Sequence, residues 1–282
     1  MPELNKQNSN GFLYLWVMAY AILWTLGSYY LDPTVPYDAV EAVNWGINGE
    51  WGSPKNPWFV GFVMWPAIHL SLPFDFYWYF IHFFGIAIGM LGVWHLSYRL
   101  TQRKDLAWFA LLILNLSGII NFDIIPYNDN YILVTFWAWI IYAFIRAVYD
   151  NPAWWLLFSL CSALATMGKY STLALVGSVF LLTLFVKSVR QCYRQPIFYV
   201  ALILWFALVL PNFFWLMATD FSAFKWVDSQ IAPGFNLHTT QAALSVFYPL
   251  IIAAIILYFA GGRFGWPKQQ PNRLVNFIVL FP

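Results

Sequence analysis

Asp38 and Glu41, in the stretch "PYDAVEAVNWGINGEWGSPKNPW", are the first residues whose types and spacing suit chemistry. Pro36 can start a helix there and Gly46 or Gly49 can end it, so the two carboxylates share one face. Such a pair can take a proton from a hydroxyl, orient a sugar or hold a divalent cation. A plainer account stays open, in which Asp38 favours the helix N-terminus by about 0.3–1 kcal/mol and Glu41 is solvated. Lys169, in "MGKYS", interrupts one long apolar run from Trp154 to Val186. An ammonium deep in a bilayer costs about 2.5–3.5 kcal/mol and less near the interface, so Lys169 either marks a site or snorkels to lipid phosphate. Lys55 and Lys225, each taken alone, are solvated loop residues. All three lysines adjoin acidic loops, however, a pattern that suits a bound anion such as a phosphate. "PYNDN" adds Asn128, Asp129 and Asn130 before a helix starting at Tyr131. One of them caps it, and three exceed what a cap needs.

The elements that must position these residues are membrane helices. The 282 residues are 61% hydrophobic, 22% aromatic and only 9% charged, against about 25% charged in ordinary soluble domains. The apolar runs Gly11–Tyr30, Phe76–Ser97, Leu106–Ile120, Tyr131–Val148, Trp154–Met167, Thr172–Val186, Ile197–Met217 and Ala242–Ala260 predict about eight spanning helices in a single all-α polytopic membrane domain covering 1–282. Gly11–Tyr30 has only Lys6 as a basic residue before it and no small-x-small cleavage site, so it reads as a retained helix. Trp58–Leu72, interrupted by Pro66, is expected to lie at the interface, within an outer loop over residues 31–75. Eleven of the 14 Lys and Arg residues then fall on one side, leaving Lys55, Lys169 and Lys225 on the other. The positive-inside rule puts the eleven in the cytoplasm. Nine of the 12 acids, Asp38, Glu41 and Asp129 among them, face outward with the three lysines. Four polar segments distant in sequence therefore share one membrane face.

Other chemistries find little support. Cys161 and Cys192 form no disulfide framework or metal spacing, and His69, His82, His95 and His238 show no ligand pattern. No phosphate loop, dinucleotide fingerprint or nucleophile elbow occurs, and no nucleic-acid partner is expected. The 17 tryptophans read mainly as interfacial belts; Trp45, Trp51 and Trp58 in the outer loop can also stack on a sugar ring. After the basic loop "GGRFGWPKQQPNR" only "LVNFIVLFP" follows, so the chain is expected to stop inside a further helix.

Four segments in order carry a resemblance: "YDAVEAVNWGINGEWGSPKNPW", "YNDNYILVTFWAW", "ATMGKYSTLAL" and "LPNFFWLMATDFSAFKW". Together they resemble glycosyltransferase family 39-like membrane enzymes of the GT-C fold, which include lipid A aminoarabinose and galacturonic acid transferases and protein O-mannosyltransferases. The first loop departs from the family's K-H-P-P-L turn at Asn56 and Trp58. The resemblance implies transfer of one sugar, with inversion, from a polyprenyl-phosphate carrier to a lipid A, O-antigen or other envelope acceptor. It places the site at the periplasmic face of a bacterial inner membrane. Asp38 would be the principal catalytic carboxylate, with Glu41 supporting it or helping to hold a divalent cation, the one cofactor in view. Lys55 and Lys169, with Lys225, would neutralise the carrier phosphate. Asn128, Asp129, Asn130 and Tyr170 would contact donor or acceptor. A lipid-linked-sugar binding or translocating protein, or an inactive truncated remnant, are the alternatives. Transport is disfavoured because polar groups gather at one face and not along the helices.

Overall fold

A computed structural model describes residues 4–32, 34–121 and 128–230. In chain order the helices are α1 (Leu4–Leu31), α2 (Tyr37–Asn48), α3 (Phe59–Phe62), α4 (Trp65–Leu70), α5 (Phe74–Thr101), α6 (Lys104–Leu116) and α7 (Gly118–Asn121). They continue with α8 (Tyr131–Tyr149), α9 (Trp154–Gly168), α10 (Thr172–Phe185), α11 (Lys187–Arg190), a 3₁₀ turn at Gln191–Arg194, α12 (Pro196–Ala218) and α13 (Ser222–Gln230). Among the described residues no strand forms, only a bridge between Gly52 and Pro57. The chain is an all-α polytopic membrane protein.

By length and composition, α1, α5, α8 and α12 can cross a membrane. The expected runs at Leu106–Ile120, Trp154–Met167 and Thr172–Val186 form shorter helices, α6, α9 and α10, of 13, 15 and 14 residues. Each covers roughly 20–22 Å of a ~30 Å hydrocarbon core. Extended backbone at Ser117, Lys169 and Val186 ends them. After Val186 the chain turns by 89° into the basic segment Lys187–Arg194. Trp58–Leu72 forms α3 and α4, of four and six residues, neither long enough to span. The run Ala242–Ala260 and the C-terminal "LVNFIVLFP" lie outside the described residues.

Of the four long helices α5 and α8 are the most enclosed and α12 the least. With lipid tails as apolar as Leu, helices associate through close packing, which small residues permit. Gly89 of α5 shows this: a Cβ there would collide with the Val134 carbonyl of α8. Gly89→Ala is expected to cost about 1–3 kcal/mol through overpacking. Gly177→Ala in α10, where nothing lies within 4 Å of the added carbon, should cost nothing. Thermal unfolding of both variants in detergent checks the pair.

Candidate functional site

Helix α2 buries Ala39, Ala42 and Gly46 along one stripe. At Gly46 it meets Gly61 of α3 backbone to backbone, and Trp65 Nε1 donates to the Gly46 carbonyl at 2.9 Å. The helix ends at Gly49, left-handed at φ 64°, not at Gly46. Seated this way, α2 turns Asp38 and Glu41 toward the loop that follows. Ser53 shapes that loop: its backbone N–H and its Oγ both donate to the Asn56 carbonyl at 2.8 Å. Its Oγ also accepts the Asn56 N–H at 2.8 Å. Such local side-chain-to-backbone bonds hold a turn where no helix or sheet ladder exists. The turn sends Lys55 back over α2 and Asn56 inward.

Lys55 Nζ donates to Asp38 Oδ1 at 2.7 Å and to Glu41 Oε2 at 2.8 Å. Asp38 Oδ2 accepts the backbone N–H of Asp129 at 3.3 Å. Asp129, only 1% exposed, pairs with Lys169 Nζ at 2.5 Å and accepts a hydrogen bond from Asn56 Nδ2. One connected cluster thus joins positions 38, 41, 55, 56, 129 and 169, three carboxylates against two ammonium groups. Asp38 and Lys169 share one end of the bundle.

Burial works to lower the Lys55 pKa, but its bonds to Asp38 and Glu41, with the Asp129 charge nearby, outweigh it and hold the ammonium above its usual range. Burial pushes the Asp129 carboxyl above the usual carboxylate range, and Lys169 opposes this only in part. With its folded-state pKa above the unfolded one, Asp129 withdraws stability as pH rises through that window, from about pH 4 upward. Lys169→Met removes the opposing charge. The variant should lose about 2–3 kcal/mol at pH 7, below the 3–5 of a fully buried pair because Lys169 keeps some water. The loss should shrink as pH falls, because a protonated Asp129 no longer needs the opposing charge; unfolding midpoints measured from pH 7 downward check it.

The remaining expected residues sit apart. None of Asn128, Asp129 and Asn130 caps α8 by its side chain, contrary to expectation. Asn130 holds the N-cap position without a side-chain cap bond. Asn128 Oδ1 accepts the Asn130 N–H at 2.8 Å, and the Asp129 carboxylate is drawn to Lys169 and Asn56. Tyr170 donates its hydroxyl to Asn212 Oδ1 at 3.0 Å, and burial pushes its phenol up to about 12. Asn212, buried in α12, donates Nδ2 to the Trp51 carbonyl at 2.7 Å. Lys225 does not join the cluster; it pairs with Asp220 on the surface, its side chain 66% exposed. Trp58 is buried and packs edge-on against Trp51 and Phe62, so it belongs to the core, whereas Trp51 is exposed. Sequence reasoning missed Ser53 and Asn56 as positioning residues. A serine three residues before an asparagine, in a Pro-flanked loop, was the available signal.

A divalent cation does not fit the Asp38–Glu41 pair as arranged, because the Lys55 ammonium already stands between the two carboxylates. Among the described residues no group of three His, Cys, Asp or Glu could hold a metal ion.

No curated protein and no solved structure matches the chain. A family model does match, over residues 55–215, more than half of the 282 residues. The match takes in Lys55, Asn56, Asn128, Asp129, Asn130, Lys169, Tyr170 and Asn212; Asp38 and Glu41 precede it and Lys225 follows it. The chain belongs to the dolichyl-phosphate-mannose-protein mannosyltransferase family, membrane glycosyltransferases of the GT-C fold that use lipid-linked sugar donors.

Proposed function

We propose that the protein moves one sugar from a polyprenyl-phosphate carrier to a lipid A, O-antigen or other envelope acceptor, on the periplasmic side of a bacterial inner membrane. The observation that carries this reading is the convergence of Asp38, Lys55, Asp129 and Lys169 at one end of the bundle. Asp38 takes the proton from the acceptor hydroxyl as its oxygen attacks the anomeric carbon. The bond from that carbon to the carrier phosphate oxygen breaks, and the electron pair stays on the phosphate. As Asp38 becomes neutral its hold on Lys55 weakens, so the ammonium turns to the charge growing on the leaving phosphate. Base and electrostatic stabiliser are coupled through one hydrogen bond, and stabilisation that grows with the developing charge acts on the transition state. Lys169, held by Asp129, supplies the second positive charge, and Glu41 keeps Lys55 in place. Asn128, Asn130 and Tyr170 flank the cluster as donor or acceptor contacts.

Mass spectrometry of envelope lipids and glycans, with and without the intact protein, tests the reading. A difference of one sugar on a lipid or glycan is the expected result, and its mass separates hexose from pentose. Identical spectra would remove the proposal. A protein that only binds or translocates the carrier would move sugar across the membrane without joining it to an acceptor when reconstituted alone.

A further inference from the structure

A second cluster lies at the opposite end of α5 and α8. Helix α8 runs 19 residues from Tyr131, beside Asp129, to Tyr149, about 28 Å away. There a cavity of about 580 Å³ opens, lined by Arg99, Lys104, Arg146 and Asp150. Its volume is that of an ordinary small-molecule site, which falls in the range of about 300–1,000 Å³.

Three cationic side chains and one carboxylate line it, and the two arginines that meet Asp150 outnumber it by one positive charge. Asp150 receives Arg99 Nη2 at 2.6 Å and also pairs with Arg146 Nε. One carboxylate therefore holds two mutually repelling guanidinium groups side by side. Arg146 is fixed further by Nη1 donating to the Tyr142 hydroxyl at 2.7 Å and by the Trp154 ring 4.6 Å from its carbon. Among the described residues, Arg99 Nε is buried without an acceptor. Trp94 and Tyr98, stacked at 5.4 Å, make an apolar wall beside these donors. Guanidinium groups match phosphate oxygens two N–H at a time. Basic pockets between helices at a membrane surface lie at the level of lipid headgroups.

We propose that this cavity binds a phosphate-bearing anion, with Arg99, Lys104 and Arg146 as its ligands and Asp150 as the carboxylate that holds the two arginines together until the anion competes for them. The site is separate from the carboxylate–lysine cluster and independent of the function proposed for it. Two sources share the chemistry: the headgroup of an anionic phospholipid and a soluble phosphate compound.

The test follows thermal unfolding of the purified full chain in detergent, titrated with dioctanoyl phosphatidylglycerol, dioctanoyl phosphatidylcholine or inorganic pyrophosphate. A saturable rise in the midpoint is expected with an anionic probe. Phosphatidylglycerol acting alone identifies a lipid headgroup, and pyrophosphate acting as well identifies a soluble phosphate. Lys104→Gln and Arg99→Gln should each raise the half-saturating concentration about tenfold, the worth of one charged hydrogen bond. Asp150→Asn should lower it several-fold, even though the unliganded variant melts earlier. That opposite sign separates anion binding from a merely structural ion cluster. No saturable shift with either anion overturns the proposal. So do a shift that phosphatidylcholine reproduces while pyrophosphate gives none, and half-saturation unmoved in Lys104→Gln and Arg99→Gln.

Discussion

Asp38→Asn is expected to slow sugar transfer about 10³-fold while leaving donor binding near its original level. Asparagine has the shape of the carboxylate, and its Oδ1 can still accept the Asp129 N–H that Asp38 now accepts at 3.3 Å. It cannot take a proton. Loss of a positioned general base costs about 10²–10⁴ in rate. The substitution also leaves Lys55 permanently unshared with its nearer carboxylate, at 2.7 Å in the parent, so the coupling of proton uptake to phosphate stabilisation disappears. The drop should appear in kcat and not in KM, as expected for an interaction made in the transition state. A lipid-linked-sugar transfer assay on the purified full-length protein measures it. An unchanged rate would refute the role given to Asp38.

Lys55→Met should have a comparable effect for a different reason. Removing one preorganised stabiliser of developing charge costs about 10²–10³ in rate. The same substitution leaves Asp38 and Glu41 without the ammonium that both contact, and carboxylates three apart on one helix face repel. The variant should therefore be slow and also less stable. The two effects separate in the double variant Lys55→Met/Glu41→Gln, which removes the repulsion and should regain stability without regaining rate. Lys55→Arg keeps the charge and should recover part of the rate. If the double variant recovers transfer, Lys55 serves only to hold α2 in place.

Much of this arrangement was legible before any coordinates. The apolar runs of α1, α5, α8 and α12 are long enough to be read directly. The sorting of lysines and acids brought Asp38, Lys55, Asp129 and Lys169 to one face, and the structure joins them in one network. What pattern could not supply was the choice among equals. Asn128, Asp129 and Asn130 are interchangeable as polar residues before a helix. Only burial against the 53–57 turn selects Asp129, because a buried carboxylate needs both an ammonium and an amide. Lys225 shares its charge and its side of the chain with Lys55, yet its loop ends in an exposed pair with Asp220. The runs Trp154–Met167 and Thr172–Val186 end within one residue of α9 and α10, whereas the run to Ile120 outlasts α6, because apolar composition does not reveal that extended backbone at Ser117 stops that helix at Leu116. Asn56 stood out in the sequence as a departure from a family turn. Its buried bond to Asp129 gives that departure a physical role.

Asn212 has a wider consequence. It sits in α12, whose 23 residues measure about 35 Å against a hydrocarbon layer of ~30 Å. A helix longer than its bilayer tilts to bury the excess. Through one amide group α12 grips both the Trp51 carbonyl and the Tyr170 hydroxyl, flanking Lys55 and Lys169 in the chain. A change in the tilt of α12 is therefore expected to act on the spacing of the two ammonium groups, and turnover is expected to vary with the acyl-chain length of the host membrane.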